Sequence, residues 1–408
     1  MDIQRKITVN GLSGLKNIGN TCYLNAVIQS LSSCKYLLIY LFKKDYTKST
    51  KYNISKMLAN NIRKQENLPQ DTVVTISKKE LEELYETTLI NKLRELLETI
   101  WTENCVVIPL SFKVLLGKLN ETFNGCYQND SHEVLSYILD RIHEETRLNS
   151  NVEFTETSDG ILEFAKIKDK VKCVLKNDDY SIEVKKMIIE NMKDYINNNL
   201  KDYVEYKFRK FWKRYVEKNS SIITDLFTGV FCSSVECLEC SNKSIRFETF
   251  TILQLSIPEN DKRETIKVTI YDCIKNEYLT EEKLHGMNQY MCSFCEKLVD
   301  AIKKVIIYKT PCVFIIQLKR FKNMNGRLLK NREIVEFPIE KFNDIYDLVS
   351  VIKHVGSVNN GHYYTNYKHP INGKWYEFND TCVTYLEDPI LCTSESYILF
   401  YQKNLSIL

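Results

Sequence analysis

The run GLKNIGNTCYLNAVIQSL, residues 14–31, is the most informative part of this chain. Apolar residues recur at helical spacing after Cys22, so the pattern predicts a buried helix that begins at Cys22. Free N–H groups and the helix dipole at that position favour a thiolate. Asn17 carries a side-chain amide that can curl back and donate to an oxyanion beside Cys22. An isolated cysteine at a helix start is usually a packing residue. The interpretation of Cys22 as a nucleophile therefore depends on the other segments of the chain.

A second segment supplies a candidate base for the thiol. His362 follows Gly361, which leaves room for a substrate backbone, and precedes an aromatic strand that holds the imidazole rigidly. The next predicted strand ends at Asn379 and Asp380, and antiparallel pairing would bring one of them against the ring. Successive strand residues point to opposite faces, so only one of the two can orient His362.

Two CxxC pairs indicate a metal site. The cysteines are Cys237, Cys240, Cys292 and Cys295. Each pair can hold one side of a tetrahedral Zn²⁺ ion through thiolates on a tight turn, and four thiolates with no open position predict a structural zinc. The alternative is a redox CxxC, but neither pair lies in a thioredoxin-like strand-to-helix context.

Composition excludes several classes of protein. Lys plus Arg number 56 and Asp plus Glu 53 in 408 residues, a balance that argues against a dedicated nucleic-acid or membrane-surface binder. No apolar run is long enough to span a bilayer, and the N-terminus lacks a secretory signal. We therefore expect an intracellular protein, in the cytoplasm, the nucleus or both, whose 14 cysteines are metal ligands, a catalytic thiol and buried thiols rather than disulfides.

Helical patterns precede strand patterns along the chain, which predicts an α+β fold. Residues 43–75 look like loop with short helical pieces, and the run Ser77-Lys78-Lys79-Glu80 resembles a capping box that opens one long helix to about residue 100. Residues 150–218 are expected to be helical from about 183. Strands are expected at 222–235, 244–257, 265–273, 303–321, 348–356, 362–368, 374–378 and 396–402.

These segments together resemble the ubiquitin-specific proteases, a papain-like family of deubiquitinating enzymes. Residues 14–31 match the family's cysteine box, and the segments 354–363 and 375–383 match its histidine box. The resemblance implies that Cys22 is the nucleophile, that Asn17 helps to form the oxyanion hole, and that His362 is the base. It also makes Asn379 the third member of the triad, with Asp380 assisting.

Two further segments carry alternatives. The run Gln128–Leu135 resembles a family motif whose aspartate, here Asp130, contacts basic residues in the ubiquitin tail. The local alternative for Asp130 is a carboxylate at a helix N-terminus, and both roles can hold together. The basic run Lys207–Arg214 is interleaved with aromatic residues, which permits nucleic-acid contact, but the solvated face of an amphipathic helix is the better interpretation.

The resemblance implies one hand-shaped catalytic domain over residues 12–402. A helical thumb is expected at about 12–218, zinc-bearing finger ribbons within about 222–310, and an antiparallel palm sheet in the remainder of 222–402. The implied substrates are ubiquitin and ubiquitinated proteins, with an activating or targeting partner and without nucleic acid or membrane. Two alternatives stay open: a protease for another ubiquitin-like modifier, and an inactive ubiquitin-binding scaffold.

Overall fold

The computed structural model describes residues 10–154, 158–177, 179–258, 267–324, 327–357 and 360–404. At its centre lies a helix that begins at Cys22, as the sequence predicts, and all eleven of its residues are buried. Within the described ranges the helices are α1 Cys22–Ser32, α2 Lys35–Lys43, α3 Thr47–Gln65, α4 Lys78–Glu86, α5 Leu89–Thr102, α6 Leu110–Leu119, α7 Ser131–Thr146, α8 Asp159–Lys176, α9 Ile182–Asn198, α10 Leu200–Asn219, α11 Ile222–Phe227 and α12 Ile270–Ile274.

The strands follow mostly in the second half of the chain, which is the α+β order that the sequence predicts. They are β1 Gly14–Leu15, β2 Val106–Val107, β3 Gly229–Cys237, β4 Lys243–Phe250, β5 Ile252–Ser256, β6 Val268–Thr269, β7 Glu282–Leu284, β8 Tyr290–Cys292, β9 Lys297–Val299, β10 Ala301–Lys309, β11 Val313–Lys319, β12 Phe321–Met324, β13 Arg327–Lys330, β14 Val335–Glu336, β15 Tyr346–Gly356, β16 Gly361–Lys368, β17 Trp375–Asn379, β18 Cys382–Leu386 and β19 Ser396–Lys403.

A seven-stranded palm sheet has the order β18-β17-β16-β15-β19-β11-β5. Its neighbours pair antiparallel except at one edge, where β5 runs parallel to β11, so the sheet is mainly antiparallel, as the sequence predicts. The parallel pairing of β5 with β11 arises in the finger sheet, which has the strand order β4-β3-β10-β7. There β4 and β10 both lie antiparallel to β3, so they run the same way, and they continue into the palm as β5 and β11.

The helix α1 is packed between the thumb and the palm. One core joins apolar side chains of α1, α2, α5, α6 and α7 to the face of the palm sheet that includes Ile352, Tyr363 and Ile398. A second core fills the opposite face of the palm, around Phe314 and Leu399. Thumb and palm therefore meet along α1, and the start of that helix lies in the cleft between them.

Helices α8 and α10 pack with the finger sheet. Helix α10 lies on that sheet, where Phe208, Phe211 and Trp212 pack against Val230 and Phe247, and α8 packs in turn on α10. The aromatic residues of the basic run 207–214 are thus used in packing, as the amphipathic-helix interpretation requires.

Several helical boundaries differ from the predictions. Residues 47–65 form the continuous helix α3 instead of loop, because Ser49, Thr50 and Ile54 are buried against the thumb. The expected long helix is divided into α4 and α5. Ser77 makes no side-chain cap bond, whereas the Thr88 side chain accepts a hydrogen bond from the backbone N–H of Asn91 and starts a new helix.

Three other boundaries also need correction. The chain is helical from Asp159 rather than from about 183, because α8 buries Ile161 and Phe164. Residues 222–227 form helix α11 rather than strand, since the Ser221 side chain caps it by accepting from the N–H of Thr224 at 3.2 Å. After the two-residue strand β6 the chain is helical, and residues 259–266 lie outside the described residues. No described helix has the length and apolar character needed to cross a membrane.

Candidate active site

Cys22 is the first residue of α1 and is 3% exposed. The two residues before the N-cap, Gly19 and Asn20, both have positive φ, which turns the chain tightly into the helix. The Asn20 side chain donates to the carbonyl of Cys126 at 2.8 Å and fixes this turn to the thumb. The side chain of Thr21 does not cap the helix, because its hydroxyl accepts instead from the N–H of Ile18. The first N–H groups of α1 therefore stay available beside the Cys22 sulfur.

His362 lies on β16 of the palm and faces Cys22 across the cleft. One side of its ring faces the Cys22 thiol, which has the largest influence on the pKa of the imidazole, and Nε2 lies 2.7 Å from Oδ1 of Asn379 at the end of β17. An amide oxygen can only accept here, so the nitrogen next to Asn379 carries a proton. The geometry thus agrees with the expectation that Asn379, and not Asp380, meets the ring.

The electrostatics of the pair favour an imidazolium. The hydrogen bond with Cys22 raises the pKa of His362 to about 9, against the opposing effect of burial, and Asn379 and the charge of Asp380 add to the increase. At neutral pH the ring is therefore protonated and can pair with a thiolate. A thiolate paired with an imidazolium is the reactive form of a cysteine nucleophile.

Asp380 does not touch the imidazole. It has φ 50° and begins the two-residue turn between β17 and β18, so it is not a strand residue at all. Its carboxylate accepts from the Nδ2 groups of Asn17 at 3.0 Å and Asn25 at 2.8 Å. The reason that only Asn379 reaches His362 is therefore the turn at Asp380, and not the alternation of strand faces that the sequence argument used.

The turn after β17 docks directly on the segment before Cys22. The N–H of Leu15 donates to the carbonyl of Asp380 at 2.8 Å. A Cβ atom on Gly14 would lie 2.3 Å from the carbonyl oxygen of Thr381, so only glycine permits this approach. The start of the thumb helix and the histidine side of the palm are thereby fixed relative to one another.

Gly361 has a structural role inside the protein besides the one expected toward the substrate. A Cβ atom at this position would lie 2.0 Å from Nε2 of His354, so the glycine makes room for that ring. His354 is buried, and burial, with the charges of Lys330 and His362, lowers its pKa to about 4, so the ring is neutral. The Gln128 side chain also donates to the carbonyl of Gly361. Gly361 therefore lies beside the cleft and is also held in place by its contacts with His354 and Gln128.

Asp130 caps helix α7. One carboxylate oxygen accepts from the N–H of His132 at 2.7 Å, and the other accepts from the hydroxyl of Tyr397 on the palm strand β19, also at 2.7 Å. Burial raises the pKa of Asp130, partly offset by these hydrogen bonds. The local alternative, a capping carboxylate, is therefore observed, and the same group joins thumb to palm.

The four CxxC cysteines come together at the tip of the finger sheet. Their sulfur atoms all lie within 4.8 Å of one another, with Cys237 and Cys295 at 3.9 Å and Cys240 and Cys292 at 3.7 Å. Four thiolates about 2.3 Å from a tetrahedral Zn²⁺ would be separated by about 3.8 Å, so the cluster fits the ion without rearrangement. The four cysteines can therefore hold a metal ion.

Local backbone geometry supports the same conclusion. The N–H of Cys240 points to the sulfur of Cys237 at 3.4 Å, and the N–H of Cys295 points to the sulfur of Cys292 at 3.5 Å. Such N–H groups stabilise negative charge on a thiolate. Ser241 and Glu296, which follow the two pairs, both have positive φ and turn the chain back around the sulfurs. A redox CxxC pair could form a disulfide, but neither pair does so here, and all 14 cysteines are free.

Sequence reasoning missed several residues that support this cleft. Asn25 holds the second oxygen of Asp380, and the Lys330 amine donates to the carbonyl of His354 at 2.5 Å and lies 3.0 Å from its Nδ1. Burial lowers the pKa of Lys330 to about 8. Asn25, three residues after Cys22 in α1, could have been found as a buried polar position in an otherwise apolar helix. Lys330 lies in a polar run with no local signal.

Comparison with known proteins agrees with this site. The model of the family described as ubiquitin carboxyl-terminal hydrolase matches residues 13–401. A probable ubiquitin carboxyl-terminal hydrolase of Acanthamoeba polyphaga mimivirus is 31% identical, over 97% of this chain and 91% of that protein. Human ubiquitin carboxyl-terminal hydrolase 2 is 28% identical over 97% of this chain, which spans only 56% of the human protein, about half its length.

Solved structures support the fold. A structure of the Ubp8-Sgf11-Sgf73-Sus1 SAGA DUB module resembles this chain with a TM-score of 0.58 and 21% identity, over 97% of this chain and 68% of that one. The same module bound to ubiquitin aldehyde gives a TM-score of 0.61, with 21% identity over 99% of this chain and 72% of that chain. With the papain-like pairing of Cys22 and His362 and the family match over nearly the whole length, this chain belongs to the ubiquitin carboxyl-terminal hydrolase family of deubiquitinating cysteine proteases.

Proposed function

We propose that residues 12–402 act as one catalytic unit that hydrolyses peptide and isopeptide bonds at the C-terminal glycine of ubiquitin, with Cys22 as nucleophile. The observation that carries this proposal is the position of the His362 ring, which lies next to the Cys22 thiol and places Nε2 2.7 Å from the Asn379 amide oxygen. This is the arrangement of a nucleophile, a base and an orienting group.

The reaction divides into two acyl transfers. The Cys22 thiolate attacks the glycine carbonyl, and as the C–N bond breaks His362 gives its proton to the departing lysine amine. The neutral imidazole then removes a proton from water, which attacks the thioester carbonyl. The C–S bond breaks, ubiquitin leaves with a free carboxylate, and the thiolate–imidazolium pair is restored.

The oxyanion of each tetrahedral intermediate would be held by the backbone N–H of Cys22 and the side-chain amide of Asn17. One N–H of that amide donates to Asp380. An amide carries two such donors, so the second serves the oxyanion. Asp380 is therefore a positioning residue that holds Asn17, while Asn379 holds His362 in the required tautomer.

Substrate binding would use Asp130 and Gly361. Each carboxylate oxygen of Asp130 already accepts one hydrogen bond, but an ionised carboxylate accepts about four, so a basic side chain of the ubiquitin tail can still bind it. Gly361 would line the path of the tail beside His362. The substrates are then ubiquitin conjugates, and an activating or targeting partner protein would select among them.

We also propose that the four-cysteine cluster binds one structural Zn²⁺. The sulfur spacing and the N–H groups directed at two of the sulfurs support this assignment. The ion would tie β8 and β9 to the end of β3 and would not take part in the reaction. Because Cys22 and the four ligands must be reduced thiols, we further propose a reducing, intracellular location.

The test is hydrolysis of ubiquitin linked through its C-terminus to a fluorophore, with wild-type protein and Cys22→Ala. Loss of the nucleophile should abolish turnover, and residual rates above about one per cent of wild type would exclude Cys22 as sole nucleophile. Electrophilic probes built on ubiquitin and on other ubiquitin-like modifiers should label the wild type through ubiquitin. Exclusive labelling by another modifier would favour that alternative, and ubiquitin binding without labelling would indicate an inactive scaffold.

A further inference from the structure

A groove of about 1170 Å³ lies on the thumb between α3, α6 and the C-terminal end of α7. It is larger than the roughly 300–1,000 Å³ of ordinary small-molecule pockets, so its dimensions suit a peptide better than a metabolite. None of the residues proposed above for catalysis, ubiquitin binding or zinc lines this groove.

The groove is remote from the reaction. Asp130 caps α7 at the cleft, whereas Glu144 and Glu145 line the groove near the other end of the same helix. At about 1.5 Å per residue, the fifteen positions from Asp130 to Glu145 separate the two by about 22 Å. A ligand in the groove therefore does not contact the bond that Cys22 attacks.

The charges along the groove are strongly unbalanced. Five exposed lysines line it, and within the described ranges none of them forms an ion pair with a carboxylate: they are Lys48, Lys56, Lys64, Lys118 and Lys218. The acidic lining residues do not offset these lysines. Glu144 is 3.0 Å from Arg147, and Glu145 binds Arg141 at 2.8 Å. Glu145 also accepts from the first N–H groups of α5, so Glu145 is fully used, and Glu144 is already paired with Arg147.

Between the lysines the lining combines neutral polar side chains, such as Asn53 and Asn60, with aliphatic ones. Ile54 is buried, and Leu115 and Leu119 are half-buried at the base, so the groove offers an apolar floor under a cationic rim. Two exposed apolar residues of α3 lie along it, Tyr52 at 57% and Met57 at 51% exposure. Apolar side chains left exposed next to unpaired charges are typical of a surface that another molecule covers.

We propose that this groove binds an acidic segment of a targeting partner protein, in which Asp or Glu residues flank at least one large apolar side chain. The carboxylates would pair with the lysines, and the apolar side chain would rest on the aliphatic floor beside Tyr52 and Met57. Single-stranded nucleic acid is the less suitable polyanion, because it is bound by stacking on aromatic rings and Tyr52 is the one aromatic residue among the described lining residues. The groove thus holds a targeting protein, while the cleft performs the hydrolysis.

The experiment uses full-length protein and a fluorescein-labelled peptide of repeated Glu-Glu-Leu units, measured by fluorescence anisotropy. The groove variant is Lys56→Glu/Lys64→Glu/Lys118→Glu. The matched control is Lys170→Glu/Lys172→Glu/Lys176→Glu, which makes the same charge change on exposed lysines of α8. A second variant, Tyr52→Ser/Met57→Ser, removes apolar surface without changing charge. Hydrolysis of a ubiquitin–fluorophore should stay at the wild-type rate in all three, which shows that each folds.

We expect the peptide to bind the wild type, with affinity that falls as salt rises. The groove variant should bind at least about tenfold more weakly, the apolar variant several-fold more weakly, and the control within about twofold of wild type. If the groove variant and the control variant weakened peptide binding equally, the proposal would be overturned, since the peptide would then be attracted to any basic surface. Stronger binding of a single-stranded oligonucleotide of equal charge would overturn it in favour of nucleic acid. Absence of saturable binding to the wild type would overturn it outright.

Discussion

Asp380 accepts a hydrogen bond of 3.0 Å from the side-chain amide of Asn17, although 363 residues separate the two in sequence. The contact joins the turn after β17 to the loop before the nucleophile, and the other oxygen of Asp380 holds Asn25 in α1. The two polar residues at the end of β17 therefore have separate tasks. Asn379 orients the base, and Asp380 orients the group proposed to hold the oxyanion.

If Asp380 acts through Asn17, their effects on turnover should overlap. Asn17→Ala should lower kcat by about 10²–10³-fold, the usual cost of removing one oxyanion donor. Asp380→Ala should give a similar or smaller loss, and the double variant should be little worse than Asn17→Ala alone. Steady-state kinetics on a ubiquitin–fluorophore measure all three. Fully multiplicative losses would contradict a positioning role for Asp380.

Asn379 can be tested by two substitutions of different chemistry. Asn379→Ala removes the partner of His362 Nε2, and loss of an orienting residue costs up to about 10⁴-fold in kcat. We expect a smaller loss here, because a neutral amide stabilises the imidazolium less than a carboxylate does. Asn379→Asp keeps an acceptor at the same place and should retain most activity. Equal impairment of the two variants in kcat would show that the amide has another role.

The raised pKa of His362 makes a prediction about pH. Because its pKa is about 9, the imidazolium persists through neutral pH, and kcat/KM should fall only as the pH rises through about 9. Cys22→Ala removes the largest cause of the increase, so His362 should titrate at clearly lower pH in that variant. Histidine ring resonances followed by NMR report this pKa directly. An unchanged titration in Cys22→Ala would show that the pair does not form.

The same shift has a consequence for stability. The pKa of His362 is higher in the folded protein than in the unfolded chain, where a histidine has a pKa near 6.5. Such a group stabilises the fold fully when the pH is below the unfolded pKa, and the stabilisation is lost as the pH rises through the folded pKa. Wild-type protein should therefore lose more stability than Cys22→Ala between about pH 6.5 and 9. Denaturant unfolding of both proteins across this window provides the measurement. Parallel curves would argue against the assigned pKa.

Removal of the proposed zinc should weaken the fingers without altering the triad. Freshly prepared protein should contain one Zn²⁺ per chain, and Cys237→Ser or Cys295→Ser should lose it, with a fall in Tm on the order of 5 °C or more. Cys173→Ser is the matched control, because Cys173 is a free, exposed cysteine outside the cluster. Metal analysis that finds no zinc in protein never exposed to chelator would contradict the assignment.

The contact between Gly361 and His354 predicts a steric effect next to the base. Gly361→Ala would place a methyl group 2.0 Å from Nε2 of His354, a ring packed between Phe321 and Tyr363. We expect a loss of about 1–3 kcal/mol in the free energy of unfolding and a large fall in kcat. Gly361→Ala/His354→Ala should be more active than Gly361→Ala. If removing the ring gives no recovery, the glycine is required by the substrate instead.

Predictions from local patterns are correct where one segment contains all the necessary information. The helix that begins at Cys22, the aromatic strand after His362 and the two CxxC turns all depend on residues adjacent in the chain. Predictions failed where a distant group decides the local structure. Helix α5 begins at Leu89 partly because the carboxylate of Glu145 takes its first N–H groups, and α3 is a helix because the thumb buries one of its faces.

The amino-acid sequence alone specifies the reactive groups: a thiol at a helix start, an imidazole on a strand, and four thiolates in two pairs. Residue type and short-range spacing carry that information, because a nucleophile, a base and a metal ligand each require a particular side chain. Which of these groups meet depends on the folded arrangement of the chain. Asp380 turns away from His362 to hold Asn17, Gly361 makes room for His354, and five lysines from three separate helices line one groove, since such contacts follow from how the helices and strands pack.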